Sequence, residues 1–379
     1  MSPRSHSRLL LAVAGAAMLT ACSTHGDASP RGGETFPAAA PSPSPSSAAA
    51  PASAGSRAKP GKPDLSKPQT IATGLEIPWG TAFLPDGSAL VAERDRADIL
   101  QIPAGGGDPR KVYEMPGVRA AGEGGLLGLA VDPQYRQNKF LYAFYTAADD
   151  NRIVKFRLSD KQPRVIFDGI TKAGIHNGGR LAFGPDGMLY AGTGDAGDGS
   201  ESQNPKDPNG KILRLTTDGK PAPGNPVAGS PVWSLGHRNV QGLAWDAKGT
   251  MYGIEFGQNT WDEVNVIKPG KNYGWPEVEG KADDPTFENP IVQWSTDEAS
   301  PSGAAVAGDT LYVAALRGQR LWTVPLGGGA PKAEFNEKYG RLRTVTVAPD
   351  GALWLSTSNH DGKIDPKDGD DRVLRFPPT

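Results

Sequence analysis

Cysteine is all but absent: in 379 residues the only thiol is Cys22. One thiol cannot close an internal disulfide, so any folded domain here is held by packing alone. Histidine is nearly as scarce. Of five, only His176, His237 and His360 lie beyond residue 67, too few and too scattered for a zinc centre. Neither sign of charge dominates, with 40 Lys and Arg against 42 Asp and Glu and a formal charge of −2. No field for gripping a polyanion results, and nucleic acid is excluded as the expected partner. A sustained apolar period of 3.6 is missing as well, which disfavours βαβ folds.

Glycine (49) and proline (35) are plentiful. Near the start, Arg4 and Arg8 precede the apolar run Leu9–Leu19, too short to span a bilayer comfortably, and the run ends in "LTAC". This resembles a bacterial lipoprotein signal peptide over residues 1–21, with Cys22 lipidated as the first mature residue. The expected location is therefore outside the cell, anchored to the outer face of its membrane. A plain signal peptide with an incidental cysteine is the competing reading. Residues 22–67 are rich in Pro, Ala and Ser, with too little apolar surface to offset ordering entropy, and read as a disordered tether. The folded unit is expected over 68–379.

Within that unit one phrase recurs six times: a short apolar strand, a turn containing Asp, and a second apolar strand. Its turns fall at Asp86, Asp132, Asp186, Asp246, Asp309 and Asp350. A repeat of ~40–60 residues suits a four-stranded propeller blade. The sequence thus predicts an all-β fold, a six-bladed β-propeller of four-stranded antiparallel blades. Between the third and fourth copies lies a long polar segment beginning "GDAGDGSESQNPKDPNGK", expected to form an elaborate rim loop.

Three constellations carry candidate chemistry. His176 stands in a glycine-rich turn, and the following hairpin ends at Asp195; if they meet, the carboxylate orients the imidazole as a general base, whereas an isolated His176 is a turn residue. Arg238 and Asn239 open the fourth repeat, and Arg341 and Arg343 share one strand face before the sixth. Like charges so placed suit an anionic ligand, although a solvated basic edge gives the same pattern. Around Gly257 and Gln258, the acids Glu255, Asp262 and Glu263 make an oxygen-rich loop that suits calcium or, equally, a polar turn.

Taken in order, "GEGGLLGLAVDP", "HNGGRLAFGPDG", "GDAG", "NGKILRL", "GHRNVQGLAW", "DEVNVIKPGKNYGWP" and "RLRTV" resemble the PQQ-dependent soluble aldose/glucose (glucose/sorbosone) dehydrogenase family across Pro68–Phe376. The resemblance implies a six-bladed propeller that binds pyrroloquinoline quinone (PQQ), a flat quinone with three carboxylates, together with Ca2+. It implies that His176 removes the anomeric hydroxyl proton of an aldose while hydride passes to the quinone, that Asp195 supports the histidine, that the product is a lactone, and that electrons pass on to an external acceptor. Arg238, Asn239, Arg341 and Arg343 match cofactor-binding positions. Arg317 falls where a lysine is usual, and Glu123 replaces a glutamine near substrate and cofactor. Gly257 and Gln258 match the carbonyls that hold the calcium against the quinone, and Glu263 and Tyr273 match ligands of a second, structural calcium.

Departures from the glucose-oxidising pattern are Glu123, Ile175 in place of a sugar-contacting aspartate, Gln258 in place of a proline, and shortened loops. They point to a broader aldose specificity in a monomer. A non-catalytic binding propeller and a metal-dependent lactonase stay open as alternatives; paired Arg341 and Arg343 have no purpose in the lactonase.

Overall fold

The computed structural model describes residues 61–379, and the 24 strands among them form six four-stranded antiparallel sheets. The signal peptide at 1–21, lipidation of Cys22 and nearly all of the 22–67 tether lie outside the described residues. The repeat is explained by hairpin chemistry. At five of the six turns the aspartate accepts a backbone N–H two residues on: Asp86 from Ser88, Asp132 from Gln134, Asp186 from Met188, Asp246 from Lys248 and Asp350 from Ala352, at 2.8–3.0 Å. This Asx turn folds each blade's first strand onto its second.

The first strands are Pro78–Phe83, Leu126–Val131, Leu181–Phe183, Val240–Trp245, Pro301–Ala307 and Leu342–Val347. They form a ring about the molecular axis, the third and fourth joined chiefly where Val240–Trp245 meets Leu189–Gly192. Gly303 sits so close to the sixth that a Cβ would lie 2.8 Å from Thr344 Cα, which is why glycine stands there. Second strands such as Leu141–Thr146 and Thr310–Ala315 are buried at every position, because blades cover them on both faces. The sixth blade closes the ring: Leu342–Val347, Leu353–Thr357 and Val373–Phe376 are completed by Gln69–Ala72 from the other end of the chain. The packed chain begins slightly before Pro68, since Asp64 N donates to Pro377 O at 2.8 Å and Leu65 packs on the sixth blade.

Two kinds of connection reach one face of the ring: those entering each first strand and those joining second to third strands. His176, Arg238, Glu123 and Arg341 precede first strands, while Asp195, Gly257 and Arg317 follow second strands. Five of the first strands also carry a register shift close to that face, at Pro78/Thr81, Leu126/Leu129, Val240/Gly242, Pro301/Ala304 and Leu342/Thr344. Such bulges re-aim side chains. Gln241, Ser302 and Arg343 stand at three of them and meet through hydrogen bonds at Gln241 Oε1.

Candidate active site

His176 and Asp195 do meet. The hairpin 181–192 returns the chain so that Nδ1 of His176 lies 2.7 Å from Asp195 Oδ1, with the aspartate 2% exposed. Burial alone pushes the Asp195 carboxyl up, but hydrogen bonds from His176, Gly197 N and Trp275 Nε1 outweigh it and hold the group below the usual carboxylate range. The carboxylate therefore stays ionised and fixes the ring. No hydrogen bond among the described residues uses Nε2 of His176, which leaves that nitrogen for a substrate proton.

Arg238 joins this pair through the backbone, its carbonyl accepting from Asp195 N at 2.8 Å. Its guanidinium is buried, lies over the Trp275 ring at 5.4 Å and donates to the carbonyls of Phe256 and Gly257. Asn239 accepts from Gly178 N at 2.9 Å. Arg341 and Arg343 converge on one anion, Asp361, with Arg341 Nε at 2.8 Å and Arg343 Nη2 at 3.8 Å. That carboxylate absorbs part of the repulsion expected between them. Arg343 also donates to Gln241 at 3.1 Å, and burial pushes its guanidinium down to about 10. Beside it Arg180 bonds the Gln241 carbonyl at 2.6 Å, reaches Thr344 Oγ1 at 3.4 Å and stacks on Trp79 at 4.3 Å. No carboxylate among the described residues pairs with Arg180, which burial and the neighbouring Arg343 push down to about 9.

Donors remain unspent. Arg238 Nε, Asn239 Nδ2 and Arg343 Nε are buried without a partner, an arrangement that costs free energy unless a ligand supplies acceptors. An anion carrying several carboxylates fits this set.

The loop at Gly257 and Gln258 is built by carboxylates. One oxygen of Glu279 accepts from the N–H groups of Gln258, Asn259, Thr260 and Trp261 at 2.6–3.1 Å, and Asp262 accepts from Gly257 and Ser300. With its N–H groups turned to Glu279, the loop presents carbonyls, and the Gly257 carbonyl already receives a cation, the Arg238 guanidinium. Burial pushes Asp262 up to about 7 and raises Glu263 as well, the latter helped by Glu255. Buried acids next to such carbonyls fit a divalent cation. Glu263 accepts from Gly280 N and Asn265, whereas the Tyr273 hydroxyl is spent on Val266 O and Lys268 N and its ring stacks on His237 at 4.7 Å. Arg317 is not gathered with the other arginines: it is 61% exposed and pairs with Asp297 on the rim.

A match to the glucose/sorbosone dehydrogenase family model spans residues 75–365, essentially the whole ring. The chain belongs to that family. Among solved structures, the PQQ-bound form of an aldose sugar dehydrogenase from Streptomyces coelicolor is 53% identical and superposes with a TM-score of 0.79, covering 83% of this chain and 99% of that one. The aldose sugar dehydrogenase YliI of Escherichia coli is 28% identical over 78% of this chain and 91% of its own length. The quinoprotein glucose dehydrogenase B of Acinetobacter calcoaceticus is 31% identical over 57% of this chain and 53% of its own.

In this family member several residues were not legible as parts of the site. Trp275, which orients Asp195, sits two residues beyond Tyr273 in "NYGWP"; Arg180 lies inside "HNGGRL"; Asp361 follows the last repeat in "SNHDG". Motif phrases contained the first two, but only three-dimensional contact assigns them a task. Asp361 and Glu279 carry no local signal at all, because each acts across a loop.

Proposed function

We propose that this protein is a PQQ- and calcium-dependent dehydrogenase that oxidises the anomeric hydroxyl of aldoses to lactones and passes electrons to an external acceptor. The observation that carries the reading is the ordered His176–Asp195 pair set beside buried, unspent donors on Arg238, Asn239 and Arg343. Support also comes from the PQQ-bound aldose sugar dehydrogenase at 53% identity.

When bound, the quinone supplies the two-electron acceptor for the hydride of the anomeric carbon. His176 Nε2 takes the hydroxyl proton, and Asp195 stabilises the resulting imidazolium. Arg341 and Arg343, with Arg180 beside Arg343, would hold cofactor carboxylates, while Arg238 and Asn239 would donate hydrogen bonds to the cofactor. Gly257 and Gln258 would offer carbonyls to a calcium ion, which would polarise the reacting group. Glu263 and Tyr273 would hold a second, structural calcium. Arg317 pairs with Asp297 at the rim.

The mature protein is a monomer tethered by lipid on Cys22 to the outer face of the membrane, with residues 22–60 as spacer. The test is to load purified protein with PQQ and Ca2+ and follow dye reduction with a panel of aldoses. Calcium-dependent quinone uptake with sugar-dependent bleaching is expected; failure to take up quinone overturns the reading.

A further inference from the structure

His176 has φ +53°, a left-handed backbone that side-chain-bearing residues adopt only when neighbours hold it there. Its carbonyl accepts from Ala196 N at 3.2 Å and its ring is fixed by Asp195. Its N–H is held from another blade. Glu123, in the loop entering the second blade, accepts the His176 N–H at 2.8 Å through Oε2, and Glu123 N donates to Gly174 O at 2.9 Å. The two loops are clamped by this pair of bonds, and Gly122 at φ +59° leaves no room for a Cβ against the Gly174 carbonyl.

The clamp uses one carboxylate oxygen. Oε1 of Glu123 has no hydrogen-bond partner among the described residues and is not sealed from solvent. Its negative charge lies within range of Arg238 and Arg343, which line the same site. Next to the clamp, Ile175 is 48% exposed and supplies no polar group for a sugar. At this edge of the site a substrate meets an apolar side chain and one unspent anionic oxygen. Such an oxygen accepts from a hydroxyl or an ammonium and repels a carboxylate or phosphate.

We propose that Glu123 is a positioning residue for His176 whose free carboxylate oxygen also selects substrates by charge, favouring amino aldoses over uronic acids and sugar phosphates. The selection rests on the aldose-oxidising reading above; the clamp does not.

The experiment has two arms. In protein without cofactor, the Nδ1–H resonance of His176 reports its hydrogen bond to Asp195 by imidazole NMR. Wild type and Glu123→Gln, which keeps an acceptor oxygen, are expected to retain it, while Glu123→Ala and Glu123→Ser lose it. In loaded protein, the alanine variant is expected to lose about 10- to 100-fold in kcat through misplacement of the base, and the glutamine variant, which keeps an acceptor, to recover most of that loss. The ratio of kcat/KM for glucosamine over glucuronate is expected to fall about tenfold in Glu123→Gln. Retention of both the resonance and kcat in the alanine and serine variants overturns the clamp. An unchanged ratio in Glu123→Gln overturns the selection. If wild type oxidises no aldose, the selection falls with that reading, and the NMR arm still decides the clamp.

Discussion

Arg180 is the residue whose placement demands most explanation. A buried guanidinium met by a carbonyl, a distant hydroxyl and an indole face bears a desolvation cost that no carboxylate among the described residues offsets. With Arg343 beside it, the floor of the site holds an excess of positive charge that a polycarboxylate cofactor would neutralise. Arg180→Met should therefore leave the unloaded protein at least as stable as wild type, yet weaken quinone binding by about tenfold or more; fluorescence titration without sugar measures it. Equal affinity in the two proteins would remove Arg180 from the cofactor's surroundings. His176→Gln separates chemistry from binding: kcat should fall by about 10²- to 10⁴-fold with quinone affinity unchanged in the same titration. Residue types in short motifs made His176, Asp195 and Arg343 legible from sequence. Arg180 was not, because a buried arginine in "GGRL" looks no different from a solvated one until its missing counter-ion is seen.

At the scale of elements, the long segment between the second and third strands of the third blade is ordered by one lysine. Lys211 is fully buried, and its Nζ donates to the carbonyls of Glu201, Ser202 and Asn209 at 2.6–3.1 Å. These carbonyls tie the short helix Ser200–Gln203 to the strand Lys211–Leu215, and the same loop carries Asp195. Burial pushes the Lys211 amine down to about 7. The sign follows: between about pH 7 and the ordinary lysine range near ~10 the unfolded chain binds a proton that the folded chain does not. Stability attributable to this residue therefore rises with pH across that window, and the contribution is flat below it. Lys211→Met should lower stability by about 1–3 kcal/mol at pH 7 by orphaning the carbonyls, and remove that rise; denaturant titrations of both proteins from pH 6 to 10 provide the check. The blades themselves were legible because Asp turns repeat at regular spacing. The internal anchoring of this loop was not, since it depends on a lysine that composition alone assigns to solvent.

For the whole molecule, the question is what keeps a ring of six sheets shut without a disulfide. Each of the six blade interfaces carries an aromatic pair with centroids 4.9–5.2 Å apart: Tyr113–Phe156, Tyr142–Phe183, Tyr190–Trp245, Trp294–Trp322, Phe335–Phe376 and, across the closure, Phe83–Trp354. Burial is thus shared evenly around the ring. Closure differs from the other junctions in having its sixth blade assembled from both ends of the chain, and Ile71, Ala72 and Leu75 fill the wedge between that blade and the first. Removing residues 1–60 leaves every one of these contacts in place, and the melting transition should stay where it is. Removing residues 1–72 deletes the fourth strand, strips Leu65, Ile71 and Ala72 from the core and opens Val373–Phe376 as an unpaired edge. That burial amounts to about 4 kcal/mol, which lowers the melting midpoint by ~6 °C in a domain of this size, and the bare edge invites self-association. Calorimetry with light scattering on the two truncations tests whether the strand is a fastener or an ornament. Equal midpoints would mean that the six aromatic pairs and a three-stranded blade suffice to hold the ring, and with it the site that draws side chains from four of its blades.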